Sequence, residues 1–356
     1  MAGGAFAHLR LAPGASLPER DPRILDIAVL DMNHGWPNVG HDGVVAALLE
    51  ATCELSLPLA AAGISVRAIS FDVRRALQLP DAEDDRFATY IGTGGPGHLD
   101  PRLNHGSDPL AQGVAENPSW ETPLFRLFDA IAERDDAALL AVCHTFGLMC
   151  RWLHVADPVA RGPEKGGKSE GVRDNLLTDQ ARSHPLFAAF ARRLGDGGRL
   201  RVLDSRLYDL IPRADARRRV AILATETLGI DGPPGDAMTM MEVARDVSGR
   251  MPRVFGVNHH PEIIDRTNLL GMLRVKLDGG EVTREWYDQR MSTLSRQFPD
   301  ERSDIQLHAT SDFTFLGPLR FHVTRAARLR ASELGREFGS HERDVDRELT
   351  GPLTLP

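Results

Sequence analysis

The segment ILDIAVLD at residues 24–31 constrains the fold more than any other stretch of this chain. Its apolar residues are nearly continuous and do not alternate with polar ones, so both faces of the strand must be covered, as happens inside a parallel sheet. A helical run, GVVAALLEATCELSLPLAAAG, follows, with Pro58 as its expected break. SVRAIS (65–70) and FATYIGTG (87–94) read as further strands. ETPLFRLFDAIAERDD (121–136) reads as an amphipathic helix, and ALLAV (138–142) as another buried strand. Strands alternating with helices imply right-handed crossovers and an α/β fold with a doubly wound, mostly parallel, flavodoxin-like sheet. Past residue 195, GRLRVLDSRLYDLI, RVAILATE, AMTMMEVARD and PRVFGVNH are short β-like runs, expected as antiparallel or edge strands of the same domain. Past residue 265 the spacing turns helical in TNLLGMLRVKL, EVTREWYDQRMSTLSRQF and HVTRAARLRASELGREF. The expected organisation is an N-terminal tail at 1–23, an α/β domain at 24–265 and a helical C-terminal extension at 266–356. The expected linkers are 97–119 and 157–171.

Composition removes several classes of function. With 42% hydrophobic residues over 356 positions the chain can bury a full core. Its 42 basic and 50 acidic side chains give a net charge of -8, a field that does not attract nucleic acid or an anionic membrane. No stretch approaches the roughly 18 uncharged residues of a membrane span, and residues 1–23 lack the apolar run of a signal sequence, so the expected location is cytoplasmic. Cys53, Cys143 and Cys150 are too few and too irregularly spaced for a disulfide framework or a zinc site. The histidines are scattered over different elements without metal-ligand spacing, so neither a metal nor a cofactor is expected.

Cys143 stands where the strand ALLAV ends and the helix-like run HTFGLMCRWLHV begins, the setting of a nucleophile elbow. A helix N-terminus and a nearby histidine both favour thiolate over thiol, and thiolate is the nucleophile. Cys53 and Cys150 fall inside helical runs and fit a structural role better. GTGGPG (92–97) follows a strand, and its glycines allow backbone N–H groups close to a reacting carbonyl. VFGVNHHPEIID (254–265) carries His260 and Glu262 two residues apart. In extended backbone this spacing puts both side chains on one face, where Glu262 can hold the imidazole in the tautomer that accepts a thiol proton. His259 then faces the other way as a packed histidine.

The order of these pieces, a Gly-rich turn, then a cysteine elbow, then HPE, resembles the class I glutamine amidotransferases over roughly residues 24–265. The family's GGPG, GxCxGxQ elbow and GVQFHPE are matched here by GGPG (94–97), AVCHTFG (141–147) and GVNHHPE (256–262). The resemblance implies Cys143 as nucleophile, His260 as general base and acid, and Glu262 as the carboxylate that orients it. It implies the N–H groups of Gly95 and His144 as oxyanion donors, and Gly94, Thr145 and Gly147 around the substrate. Three elbow positions depart from the pattern: Ala141 and Thr145 replace glycines, and Gly147 replaces the glutamine. The loss of that glutamine predicts a wider, less polar pocket and poor use of free glutamine.

These readings predict a cysteine-dependent amidase or amidotransferase that takes glutamine or a related small amide. One alternative is an acyltransferase resembling homoserine succinyltransferases. Another is a non-catalytic binding or regulatory protein that keeps the fold. The expected partners are a small amide or acyl donor and a separate synthetase or acceptor enzyme, with no nucleic acid and no membrane. The C-terminal helices are the candidate surface for self-association. GPEKGGKS (162–169) matches the phosphate-loop pattern, but Pro158 interrupts the run before it and no apolar helical stripe follows, so nucleotide binding is not expected.

Overall fold

Residues 24–31 form a strand buried on both faces, as their composition demands. Leu25, Ile27 and Val29 enter one core, and Ala28 and Leu30 enter another on the opposite side of the sheet. The computed structural model describes residues 5–35, 38–163, 167–194, 198–229, 232–263, 266–297 and 301–339. In chain order the strands are β1 (Phe6–Arg10), β2 (Ile24–Asp31), β3 (Ser65–Asp72), β4 (Thr89–Gly92), β5 (Ala138–Val142), β6 (Ala156–Ala160), β7 (Ser169–Leu177), β8 (Arg199–Arg206), β9 (Tyr208–Pro212), β10 (Ala221–Thr227), β11 (Pro234–Arg245) and β12 (Pro252–Val257). A ten-stranded sheet has the order β1-β3-β2-β4-β5-β12-β11-β10-β7-β8, and β6 pairs with β9 in a separate ribbon. From β1 to β12 neighbouring strands are parallel, and from β12 to β8 they are antiparallel. This is the mostly parallel α/β sheet expected, with an antiparallel wing.

Helices cover both faces. Glu121–Glu133 and His144–Leu153 pack on the face of Ala28 and Leu30, while Val39–Glu54 and Ser56–Ala62 pack on the other. The break between the last two falls at Leu55, ahead of Pro58. Among the described residues no single helix is long and apolar enough to cross a membrane.

Four sequence expectations change. The segment read as a tail supplies β1, which pairs parallel with β3 from Phe6↔Val66 to Arg10↔Ser70. As an edge strand it is half exposed and lacks the apolar run that marks β2. PRVFGV is no edge strand: β12 lies parallel to β5 in the middle of the sheet, fully buried along its length. The stretch 157–171, expected as a linker, contains most of β6 and the start of β7. Beyond residue 265 the helices Arg266–Asp278, Arg284–Gln297, Glu301–Ser311 and Gly317–Glu333 match the helical spacing. The last of them is a core layer: Leu319, Val323 and Ala327 share the cluster of Ile27 and Val29. Within GPEKGGKS, residues 164–166 lie outside the described residues, and Ser169 opens β7, so a strand stands where a phosphate loop needs a helix. Residues 1–4 and 340–356 are likewise outside them.

Candidate functional site

Strand β5 delivers Cys143 between its parallel neighbours β4 and β12, and the helix His144–Leu153 starts immediately after it. The turn is strained: Cys143 has φ 47° and ψ -100°, a backbone state that costs on the order of 1–3 kcal/mol for a side-chain-bearing residue. Backbone bonds hold it there, from Cys143 N–H to Val257 O at 2.8 Å and from Gly147 N–H to Cys143 O at 3.0 Å. Cys143 is half-buried, Cys53 is exposed, and burial pushes the Cys150 thiol up, out of use.

Strand β12 stops at Val257, so His260 and Glu262 sit in a turn and not on the extended backbone anticipated from their spacing. Pro261 lacks the N–H that a continuing ladder requires. The pairing forms nevertheless. His260 Nδ1 lies 2.8 Å from Glu262 Oε1, the His260 and Cys143 side chains converge above Gly94, and His260 N–H donates to Leu203 O at 2.8 Å. Burial opposes the charged imidazolium, but the Glu262 carboxylate and the Cys143 sulfur outweigh it and hold His260 well above the ordinary histidine range.

Glu262 is buried against the first turn of the helix Val39–Glu54, whose positive end suits a carboxylate. A side chain at Gly40 would come within 2.7 Å of Glu262 Oε1, and one at Gly43 within 2.7 Å of the Glu262 carbonyl, so both glycines are needed for this approach. Nothing in the sequence VGHDG announces this contact. His259 bonds Thr314 Oγ1 at 3.2 Å, and burial lowers it to about 3, so it is the packed histidine anticipated.

The Gly-rich turn faces the same centre. A Cβ on Gly94 would lie 2.8 Å from His260 Cε1, and one on Gly95 would lie 2.3 Å from Met32 O. The N–H groups of Gly95 and His144 have no backbone acceptor among the described residues. Burial of the His144 ring, with the Arg74 charge nearby, holds it neutral, well below the ordinary range. Behind the two N–H groups Arg74 donates to Pro96 O at 2.7 Å and to Met32 O at 3.0 Å, and it pairs with Glu116 at 2.7 Å in full burial.

Gly95, Cys143, His144, Gly147 and His260 line one pocket of about 210 Å³. Thr145 does not line it: its side chain packs over Gly92, where a Cβ would come within 2.2 Å of Thr145 Cγ2, and its hydroxyl donates to Thr93 O at 2.7 Å. Gly147 does not widen the pocket either. Leu99 fills that space, lying 2.5 Å from where a Gly147 Cβ would stand, so the wall is less polar but closed. Tyr208 also reaches the pocket; its hydroxyl bonds His98 Nδ1, and His98 Nε2 lies 2.8 Å from Asp108 Oδ2. Sequence spacing carries no trace of that chain, because its members are brought together only by β9 and the 97–108 loop. Among the described residues no group of three His, Cys, Asp or Glu side chains is arranged to hold a metal ion.

No protein-family model matches the chain, and no curated protein matches it in sequence. Several solved structures share part of its shape. A glutamine amidotransferase of Thermotoga maritima is 14% identical with a TM-score of 0.45, over 85% of this chain and 98% of its own. A GMP synthase component from Thermoplasma acidophilum is 10% identical with a TM-score of 0.37, over 66% and 84%. A ThuA-like protein of Bacteroides uniformis is 10% identical with a TM-score of 0.37, over 72% and 91%.

Proposed function

We propose that this chain is a cysteine-dependent enzyme of the class I glutamine-amidotransferase type that forms a thioester at Cys143 from a small amide or acyl donor. One observation carries the reading: the His260 imidazole, bonded to Glu262, shares one pocket with Cys143 at the strained elbow, and both side chains crowd the same point above Gly94. In the proposed reaction the Cys143 sulfur attacks the donor carbonyl, and the oxyanion is received by the N–H groups of Gly95 and His144. His260 protonates the leaving nitrogen as the C–N bond breaks, leaving the acyl group on sulfur. Water then gives a proton to His260 and attacks the thioester carbon, and Cys143 leaves as thiolate. Glu262 holds the imidazole tautomer and balances its charge throughout.

Leu99, standing where a glutamine side chain would need room at position 147, favours a second reading in which an acyl group passes to an acceptor other than water, as in the homoserine-succinyltransferase type. In the first reading, use of the released ammonia is assigned to a separate protein. The common premise is tested by limited iodoacetamide treatment with peptide mass spectrometry. Cys143 should label ahead of Cys53 and Cys150, and His260→Ala should slow it about tenfold or more, since an unassisted thiol is only a few per cent thiolate at pH 7. Labelling led by Cys53, or indifferent to His260, refutes the triad.

A further inference from the structure

We propose that the pocket beside Cys143 selects a donor with a short, unbranched apolar acyl group of about four to six carbons, and not the polar side chain of free glutamine. This rests on the reading of Cys143 as a thioester-forming nucleophile and adds the class of group it accepts.

The walls next to the reacting atoms are apolar. Leu99 occupies the space over Gly147, one helical turn past the nucleophile. On the other side Leu203 accepts the backbone N–H of His260 at 2.8 Å, Ile263 N–H donates to His260 O at 3.3 Å, and both residues line the same pocket as His260. Leu203 and Ile263 belong to a third hydrophobic cluster, completed by Leu269 and Leu273, with Trp286 packed against it; the last three come from helices beyond residue 265. Those helices therefore add an apolar wall to one side of the half-open pocket that holds the candidate nucleophile.

Two of the cations lining the pocket already have a carboxylate beside them. Lys168 Nζ lies 2.7 Å from Glu170 Oε1, and Arg206 Nε lies 3.1 Å from Asp204 Oδ2. Arg290 is exposed, and its guanidinium lies over the Trp286 ring at 5.3 Å. A charged head group placed beside Lys168 or Arg206 would have to compete with Glu170 and Asp204, which is costly in a partly buried site.

The space beside Cys143 gives the scale of the group it takes. A dry cavity of about 150 Å³ holds benzene, with six heavy atoms. By proportion, the 210 Å³ here holds about eight. An acyl group of four to six carbons, counting its carbonyl oxygen, has about five to seven. Each methylene buried is worth about 0.8 kcal/mol, or roughly fourfold in rate when the gain is realised in the transition state.

The test uses the full chain and 4-nitrophenyl esters of acetate, butyrate, hexanoate and decanoate. In each the bond from Cys143 sulfur to the acyl carbon forms as the acyl–oxygen bond breaks, and 4-nitrophenolate leaves with the electron pair. Intact mass locates the adduct, and nitrophenolate absorbance gives the rate relative to free cysteine in solution. The expected rate at Cys143 rises about tenfold or more from acetate to butyrate or hexanoate and falls again at decanoate. Trp286→Ala should reduce the hexanoate advantage, and Leu99→Ala, where it folds, should shift the optimum towards longer chains. Acylation of Cys143 that is flat or falls with chain length overturns the inference while leaving the nucleophile intact. Ammonia release from free glutamine faster than hexanoate transfer overturns it as well. Acylation confined to Cys53 overturns the underlying reading of Cys143 instead.

Discussion

Replacing Gly94 by alanine isolates the geometry of the proposed triad from its chemistry, because no reacting group is removed. The new methyl would stand 2.8 Å from His260 Cε1 and 3.5 Å from Cys143 Cβ. The second distance is ordinary contact; the first is short of it by about 0.6 Å, since carbon pairs settle at about 3.5–4.0 Å or a little less. The imidazole has to take up that displacement, as Cys143 is held at its elbow by bonds to Val257 and Gly147. His260 is itself tied to Glu262 at 2.8 Å, so it cannot retreat without stretching that bond. A misplacement of about 1 Å in a catalytic constellation costs about 10²-fold, so 0.6 Å should cost about tenfold or more. Overpacking should cost the fold only about 1–3 kcal/mol. The assay is the second-order iodoacetamide rate at Cys143 between pH 5.5 and 9, with exposed Cys53 as internal reference and a thermal melt alongside. A Cys143 rate within twofold of the parent, in a protein that melts normally, would refute the claim that His260 activates this sulfur.

Removing one partner of the fully buried Arg74–Glu116 pair, as in Arg74→Met, should destabilise the chain by about 3–5 kcal/mol in urea and loosen the Gly95 turn; a loss under 1 kcal/mol would show that water already reaches the pair. Thr145→Val keeps the volume over Gly92 but loses the buried bond to Thr93 O, and it should cost about 1–3 kcal/mol by chemical denaturation; a neutral result would mean the hydroxyl is dispensable. Burial lowers His259 to about 3 and His322 to about 4, both from 6.5, so the unfolded chain takes up protons first on acidification. Stability should be fully present above about pH 6.5 and be lost progressively as pH falls towards 4. His322→Gln should flatten that slope in melting temperature against pH, and an unchanged slope would be inconsistent with a neutral His322.

The sheet is legible in the sequence wherever burial on both faces forces a continuous apolar run. β2 and β5 coincide to the residue with such runs for this reason. PRVFGV carries the same pattern, yet the turn-rich texture around it points to an edge and outweighs the run itself. β1 is not legible: a half-exposed edge strand needs only backbone pairing, which leaves little mark on side-chain choice. The helices past residue 265 are legible as helices. That the last one seals the sheet is not, since amphipathic spacing tells which face is apolar but not what it meets.

At the candidate site, motif order names the residues that would touch a reacting atom but not those that hold them. The elbow shows why. Thr145 in place of a glycine looks from the motif alone like a steric fault, yet position 92 is glycine, so the methyl fits and the hydroxyl finds Thr93 O. Gly147 in place of a glutamine looks like an opening, yet Leu99, which precedes it by 48 positions, closes it. In both cases the departure and its compensation are far apart in sequence and adjacent in space, because β4 and the loop after it lie beside β5 and its helix. A local motif therefore reports the chemistry a site can attempt, through Cys143, His260 and Glu262. The shape that decides what enters belongs to the contacts between strands, here Gly92 with Thr145 and Leu99 with Gly147. Changing Leu99 alone should accordingly alter selectivity without altering the iodoacetamide reactivity of Cys143, and a Leu99 variant that folds but loses that reactivity would show that shape and chemistry are not separable in this pocket.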